Sequence, residues 1–103
     1  MKEKCISTGI MQVLSRKWML IILRNLYDRK NMRFNEIIKN TLPISSRTLS
    51  KRLKELEKAK IVKKEVFREI PPRVEYSLTP AGKELIIGFK KLDYWVKKWG
   101  IKL

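Results

Sequence analysis

Residues 45–59 read SSRTLSKRLKELEKA, a stretch whose two sides cannot share one environment. Leu49, Leu53 and Leu56 recur at i, i+4 and i+7, the spacing of one stripe on a helix. Arg47, Lys51, Lys54 and Lys58 fall on the opposite side, with Ser50 at its edge. Glu55 and Glu57 lie toward the C-terminal half. The leucines must be buried against the rest of the chain, and the cations must stay in water or meet an anion. Ser45 can cap the start, its hydroxyl accepting an amide that the helix leaves unpaired. Taken alone, the stretch reads equally well as an ordinary helix with a solvated charged face. Its neighbours decide between the two readings.

Upstream, KWMLIILRNLYD over 17–28 is the most apolar block. Trp18, Ile21, Ile22, Asn25 and Leu26 share a helical stripe, and apolar residues spill round it, which predicts a buried core helix. A short helix is expected over 8–14. Phe34, Ile37 and Ile38 predict another over 34–40, with Met32–Phe34 beginning as a small strand. Thr41-Leu42-Pro43-Ile44 breaks it, because proline clashes with the preceding turn and restricts the residue before it.

Downstream, 62–69 and 73–79 read as strands. Val74, Tyr76 and Leu78 alternate with Arg73, Glu75 and Ser77, the period of a half-buried strand. The first strand alternates less cleanly, with Val66 and Phe67 on opposite faces. Pro71-Pro72 lies between the two, since proline cannot donate a ladder hydrogen bond. Thr79 then caps a helix with Pro80 at its first position, where the missing N–H costs nothing. It runs to about Lys98, with Leu85, Phe89, Leu92, Val96 and Trp99 along one seam.

This order is that of a winged helix-turn-helix, mainly α with a small β-hairpin wing. It forms one domain over 1–103, with the helix-turn-helix at about 34–59, the wing at about 62–79 and the last helix at about 80–99. A DNA major groove about 12 Å wide admits one helix, provided that helix buries one stripe and presents donors on the other. The candidates for base contact are Ser46, Arg47, Ser50 and Lys51. Lys54 and Lys58, further along, are expected at phosphates, with Arg68 and Arg73 of the wing. Glu69 and Glu75 flank Arg73 and can instead pair with Arg68 and Arg73, bracing the hairpin.

The charge agrees with an acidic partner: the net value is +15 and the pI near 10.3. Residues 45–68 are the densest block, with nine basic and three acidic side chains. Histidine is absent and there is one cysteine, Cys5, which excludes a disulfide within the chain and a Cys/His zinc site. With no glycine-rich phosphate loop and no acid/base pair above chance, no enzyme, metal or cofactor is expected. No apolar run reaches the length of a membrane span, and MKEKCISTG lacks the features of a signal peptide, so a cytoplasmic location is expected. No residues define an effector pocket, and the small-molecule effector is unknown. Two other functions fit the composition: non-specific architectural DNA binding, which charge alone would serve, and a protein-interaction winged helix.

The motifs resemble those of the HxlR-type winged helix-turn-helix transcriptional regulators of bacteria and archaea, across nearly the whole chain. Lys17-Trp18 followed by LIILRNL resembles the family's core helix, and Arg33-Phe34-Asn35-Glu36 the start of its first motif helix. Ile44-Ser45 with Leu49-Ser50 and Arg52-Leu53-Lys54-Glu55-Leu56 resembles its recognition helix. Pro71-Pro72-Arg73-Val74-Glu75-Tyr76-Ser77-Leu78-Thr79 with Gly82 resembles its wing and following helix start. The chain departs from the pattern in having Cys5-Ile6 for Cys-Pro and Ser15-Arg16 for Gly-Gly, both before the core helix.

The resemblance implies a homodimeric repressor or activator on a palindromic operator in double-stranded DNA, paired through its terminal helices. The aromatic load of Phe89, Tyr94, Trp95 and Trp99 on one helix fits such pairing, because exposed apolar patches mark interfaces. The expected dimer residues are Leu85, Phe89, Leu92, Trp95, Val96 and Trp99. Some family members use a cysteine matching Cys5 to sense oxidants or electrophiles, which makes Cys5 a candidate redox sensor.

Overall fold

The computed structural model describes residues 9–103. Residues 9–14 are helical. Seven elements follow: α1 (Met19–Arg29), β1 (Asn31–Arg33), α2 (Phe34–Asn40), α3 (Ser46–Lys58), β2 (Val62–Phe67), β3 (Arg73–Leu78) and α4 (Pro80–Trp99). The sheet is antiparallel with β3 in the centre, in the order β1-β3-β2. The wing is thus three-stranded, since Asn31, Met32 and Arg33 pair with Ser77, Tyr76 and Glu75.

The core gathers one stripe from each element. Met19, Ile22, Leu23 and Leu26 of α1 meet Leu49, Leu53 and Leu56 of α3, with Ile37 of α2 and Tyr76 and Leu78 of β3 closing it. The predicted leucine stripe of α3 is fully buried. The predicted stripe of α1 is displaced. Trp18 takes a left-handed conformation (φ 78°), the helix begins at Met19, and Ile21 and Leu20 are 46% and 52% exposed. Helix α1 is therefore walled on one face by the sheet and the other helices, and opens on its other side into a groove beside α4.

Strand β2 is an edge. Only Val62 is buried, while Lys63, Lys64, Glu65 and Val66 face solvent, a charged margin of the kind that discourages pairing with other chains. The imperfect alternation seen in its sequence reflects this.

Two local devices fix the angle between α3, the wing and α4. Helix α3 ends in a Schellman motif: Lys60 in the left-handed region (φ 61°) donates to Glu57 O at 2.9 Å, and Ile61 donates to Leu56 O at 3.0 Å. The Ile61 carbonyl then accepts the Thr79 amide at 3.0 Å. The Thr79 hydroxyl accepts from the Gly82 amide at 3.0 Å and donates to Lys60 O at 2.6 Å. The start of α4 is thereby fastened to the end of α3. Gly82 lies so close that a Cβ there would collide with the Ile61 carbonyl, which is why the position carries no side chain.

Beyond Phe89, α4 leaves the core. Leu92, Tyr94, Trp95 and Trp99 are all at least half exposed. The radius of gyration is 15.2 Å, against about 13 Å for a compact chain of this length, and the longest dimension is 51 Å. Among the described residues no helix is long and apolar enough to cross a membrane, and no cluster of three metal-ligating side chains occurs.

Candidate nucleic-acid interface

The start of α3 is built for exposure. Ser45 lies outside the helix in extended conformation, and its hydroxyl accepts the Thr48 amide at 3.1 Å while donating to Thr48 Oγ1 at 2.9 Å. Pro43 and Thr41 make the turn between α2 and α3. Asn25 of α1 holds that turn, donating to Thr41 Oγ1 at 3.1 Å and to Asn40 O at 3.2 Å. Thr41 is buried, so this bond satisfies a hydroxyl that would otherwise be stranded in the core.

On the outer side of α3, Ser46, Arg47, Lys51, Lys54 and Lys58 are exposed and Ser50 is half-buried. Among the described residues none of these four cations pairs with a carboxylate. The sequence-predicted base and phosphate candidates of this helix therefore share one free, cationic face.

The helix has a second set of polar groups that hold it rather than present anything. Arg52 donates through Nε to Lys17 O at 2.9 Å and through Nη1 to Glu55 Oε1 at 2.8 Å. Glu55 Oε2 accepts from Arg16 Nη1 at 2.8 Å. Arg16, Arg52 and Glu55 thus tie the turn before α1 to the middle of α3. The only trace of this in the sequence is the i, i+3 spacing of Arg52 and Glu55. Arg16, where the family pattern has glycine, supplies the third member.

The wing presents fewer cations than its sequence predicts. Arg73 Nη2 lies 3.1 Å from Glu69 Oε2, and Nε lies 3.4 Å from Glu75 Oε2 without hydrogen-bond alignment. The guanidinium also lies over the Phe67 ring, 4.1 Å from its centre. Phe67 and Arg73 are cross-strand partners, so this packet closes the end of the hairpin. Arg68 is exposed and in no ion pair among the described residues. At the tip, Ile70 is fully exposed beside Pro71-Pro72.

Beneath the wing, Tyr76 is 8% exposed. Burial pushes its phenol above the ordinary value, and the nearby Glu57 carboxylate adds to the rise.

The residues expected at a dimer seam divide into two groups. Leu85 and Phe89 pack partly against the domain's own core. Leu92, Trp95 and Trp99 are exposed, and Val96 is half-buried. Cys5 lies outside the described residues.

A family model described as HxlR-like helix-turn-helix matches residues 13–102. A protein of Methanothermobacter thermautotrophicus, described as an uncharacterized HTH-type transcriptional regulator, is 42% identical over 84 residues. That match covers 82% of this chain and 63% of the relative, so this chain spans less than two thirds of its length. The HTH-type transcriptional regulator YvaP of Bacillus subtilis is 40% identical over 87 residues, covering 84% of this chain and 80% of YvaP. Among solved structures, the reduced form of the transcriptional regulator YodB from B. subtilis superposes with a TM-score of 0.79 at 34% identity, covering 88% of each chain. The redox regulator HypR in its reduced form superposes with a TM-score of 0.78 at 34% identity, covering 89% of this chain and 90% of HypR.

Proposed function

This chain belongs to the HxlR-like helix-turn-helix family of transcriptional regulators, and from that premise we propose that it is a sequence-specific DNA-binding regulator acting as a homodimer on a palindromic operator. The observation that carries the reading is the outer face of α3. It holds Arg47, Lys51, Lys54 and Lys58 free of carboxylate partners, on a helix whose other side is fully buried. Ser46, Arg47, Ser50 and Lys51, nearest the N-terminus, are the proposed base readers. Lys54, Lys58 and Arg68 are the proposed phosphate contacts, which position the protein without reading sequence. Arg73 is assigned to bracing the wing, because Glu69 and Glu75 already neutralise it.

The second half of α4 supports the dimer. A partner covering Leu92, Trp95 and Trp99 would remove from water an apolar strip that the monomer leaves open. Two recognition helices can then lie roughly 34–36 Å apart, one turn of duplex. Sedimentation at micromolar protein that shows monomer alone would overturn this part. Cys5 is the only thiol in the chain and the candidate for an oxidant response of the kind that the name of HypR carries. Diamide should then alter duplex binding in the native chain and leave Cys5→Ser unchanged, and an equal effect on both removes Cys5 from the mechanism. With this function the protein is placed in the cytoplasm, needs no cofactor and is not an enzyme.

The test of the whole reading is selection of bound sequences from random duplex at fixed salt. Enrichment of a two-fold symmetric site is the expected result. Equal binding of selected and random duplex would point to architectural binding, and no binding to a protein-interaction winged helix.

A further inference from the structure

A second basic surface lies away from α3, on the outer face of the sheet. Lys63, Ser77 and Asn31 are neighbours in register across β2, β3 and β1, and so stand side by side on the face opposite Tyr76 and Leu78. Strands in a sheet are about 4.8 Å apart, which sets the spacing of this row. Lys30 precedes Asn31 directly, and Lys83 comes from the first turn of α4. Together with Leu26, Tyr27 and Leu78 these residues line a concavity of about 540 Å³.

The charge of this concavity is one-sided. Lys30, Lys63 and Lys83 line it, no carboxylate does, and none of the three lysines is in an ion pair among the described residues. The groove between α1 and α4 has the opposite character: Arg24 and Lys90 there are matched by Asp28 and Asp93. Three ammonium groups around one hollow repel each other, and a multivalent anion would relieve that repulsion. The Ser77 hydroxyl and the Asn31 amide add donors of the kind that bind phosphate oxygens. The hydrophobic wall of Leu26, Tyr27 and Leu78 offers a place for an organic body, and the volume falls in the range of small-molecule sites.

We propose that this concavity binds a small phosphorylated organic molecule, its phosphate among Lys30, Lys63 and Lys83 and its apolar part against Tyr27. The site is independent of the DNA reading and would stand if α3 bound nothing. Tyr27 is also a wall of the α1–α4 groove and carries Lys90 over its ring at 4.5 Å. An occupant would therefore touch the same side chain on which α4 rests.

The test is calorimetric titration with phenyl phosphate and with inorganic phosphate, at ionic strength held constant with potassium chloride. Saturable binding of phenyl phosphate is expected, at least threefold tighter than inorganic phosphate. The variant K30Q/K63Q/K83Q should weaken it at least tenfold, and K51Q/K54Q/K58Q should leave it within twofold. Equal weakening by both variants, or no saturation, would overturn the proposal, because the binding would then follow net charge alone. The same phosphate chemistry could be met by DNA backbone, so random-duplex affinity is measured across salt. An unchanged salt slope for K30Q/K63Q/K83Q is expected. A loss of roughly 2.7 in that slope, the equivalent of three phosphate contacts, would assign the lysines to DNA and overturn the small-molecule site.

Discussion

Arg16 Nη1 and Glu55 Oε2 lie 2.8 Å apart although 39 residues separate them in the chain. The same carboxylate takes Arg52 on its other oxygen, and Arg52 reaches on to the Lys17 carbonyl. One acidic side chain thereby fixes the cationic helix against the turn that precedes α1.

Replacing Glu55 with Gln should cost about 1–2 kcal/mol, the worth of part-buried charge-assisted hydrogen bonds discounted for the exposure of Arg16. Arg16→Ala alone should cost about 0.5 kcal/mol, as surface pairs do. Urea unfolding of both variants measures the difference. Similar small losses in both would mean that Glu55 does not hold α3.

Gly82→Ala should destabilise by about 1–3 kcal/mol, because the new methyl meets the Ile61 carbonyl, a backbone atom that cannot rotate aside. Gly88, in the same helix, has open space around its Cβ position. Gly88→Ala should raise monomer stability by up to about 1 kcal/mol through helix propensity. Thermal unfolding below the association range compares them, and the opposite order would refute the close approach.

Arg68→Ala should lower duplex affinity alike for all sequences and flatten the salt dependence by about 0.9, one phosphate contact. Arg73→Ala should leave that slope in place and instead loosen the hairpin, since it removes the ion pairs to Glu69 and Glu75 and the stacking on Phe67. Binding isotherms at several salt concentrations decide. A flattened slope for Arg73→Ala would return that residue to the DNA.

What could be read in advance was what is local. The Ser45 cap, the Leu49-Leu53-Leu56 stripe, the Pro80 helix start and the alternation of β3 each depend on a few adjacent residues, and each stands where it was expected. The exposure of Leu20 and Ile21 was not legible, because hydrophobicity shows which residues avoid water but not how many sides of a helix the fold covers. Neither was the meeting of Lys30, Lys63 and Lys83, which come from three elements and converge only through strand register. The neutralisation of Arg73 was readable as an option and needed the hairpin geometry to become a fact.

Alkaline pH should expose the role of Tyr76. Its phenol stays protonated in the folded chain beyond the ordinary value of 10.0, where the unfolded chain releases its proton. The stability this contributes is complete below that value and is lost as pH rises from it toward the folded-state value. Tyr76→Phe should therefore flatten the fall in stability above pH 10 while changing little at pH 7. Denaturant midpoints across that range are the measurement, and an unchanged alkaline slope would show that other groups cause it.

Between the last residue of β3 and the first of α4 there is a single residue, Thr79, pinned by its own amide and hydroxyl to the Lys60-Ile61 turn. The rotational phase of α4 is therefore indexed to the strand before it. One inserted residue would turn the helix by about 100° and advance it by about 1.5 Å. The strip of Leu92, Trp95 and Trp99 would swing to another side of the molecule without a single apolar residue being changed. In this fold the direction in which one protomer looks for another is set by a linker one residue long.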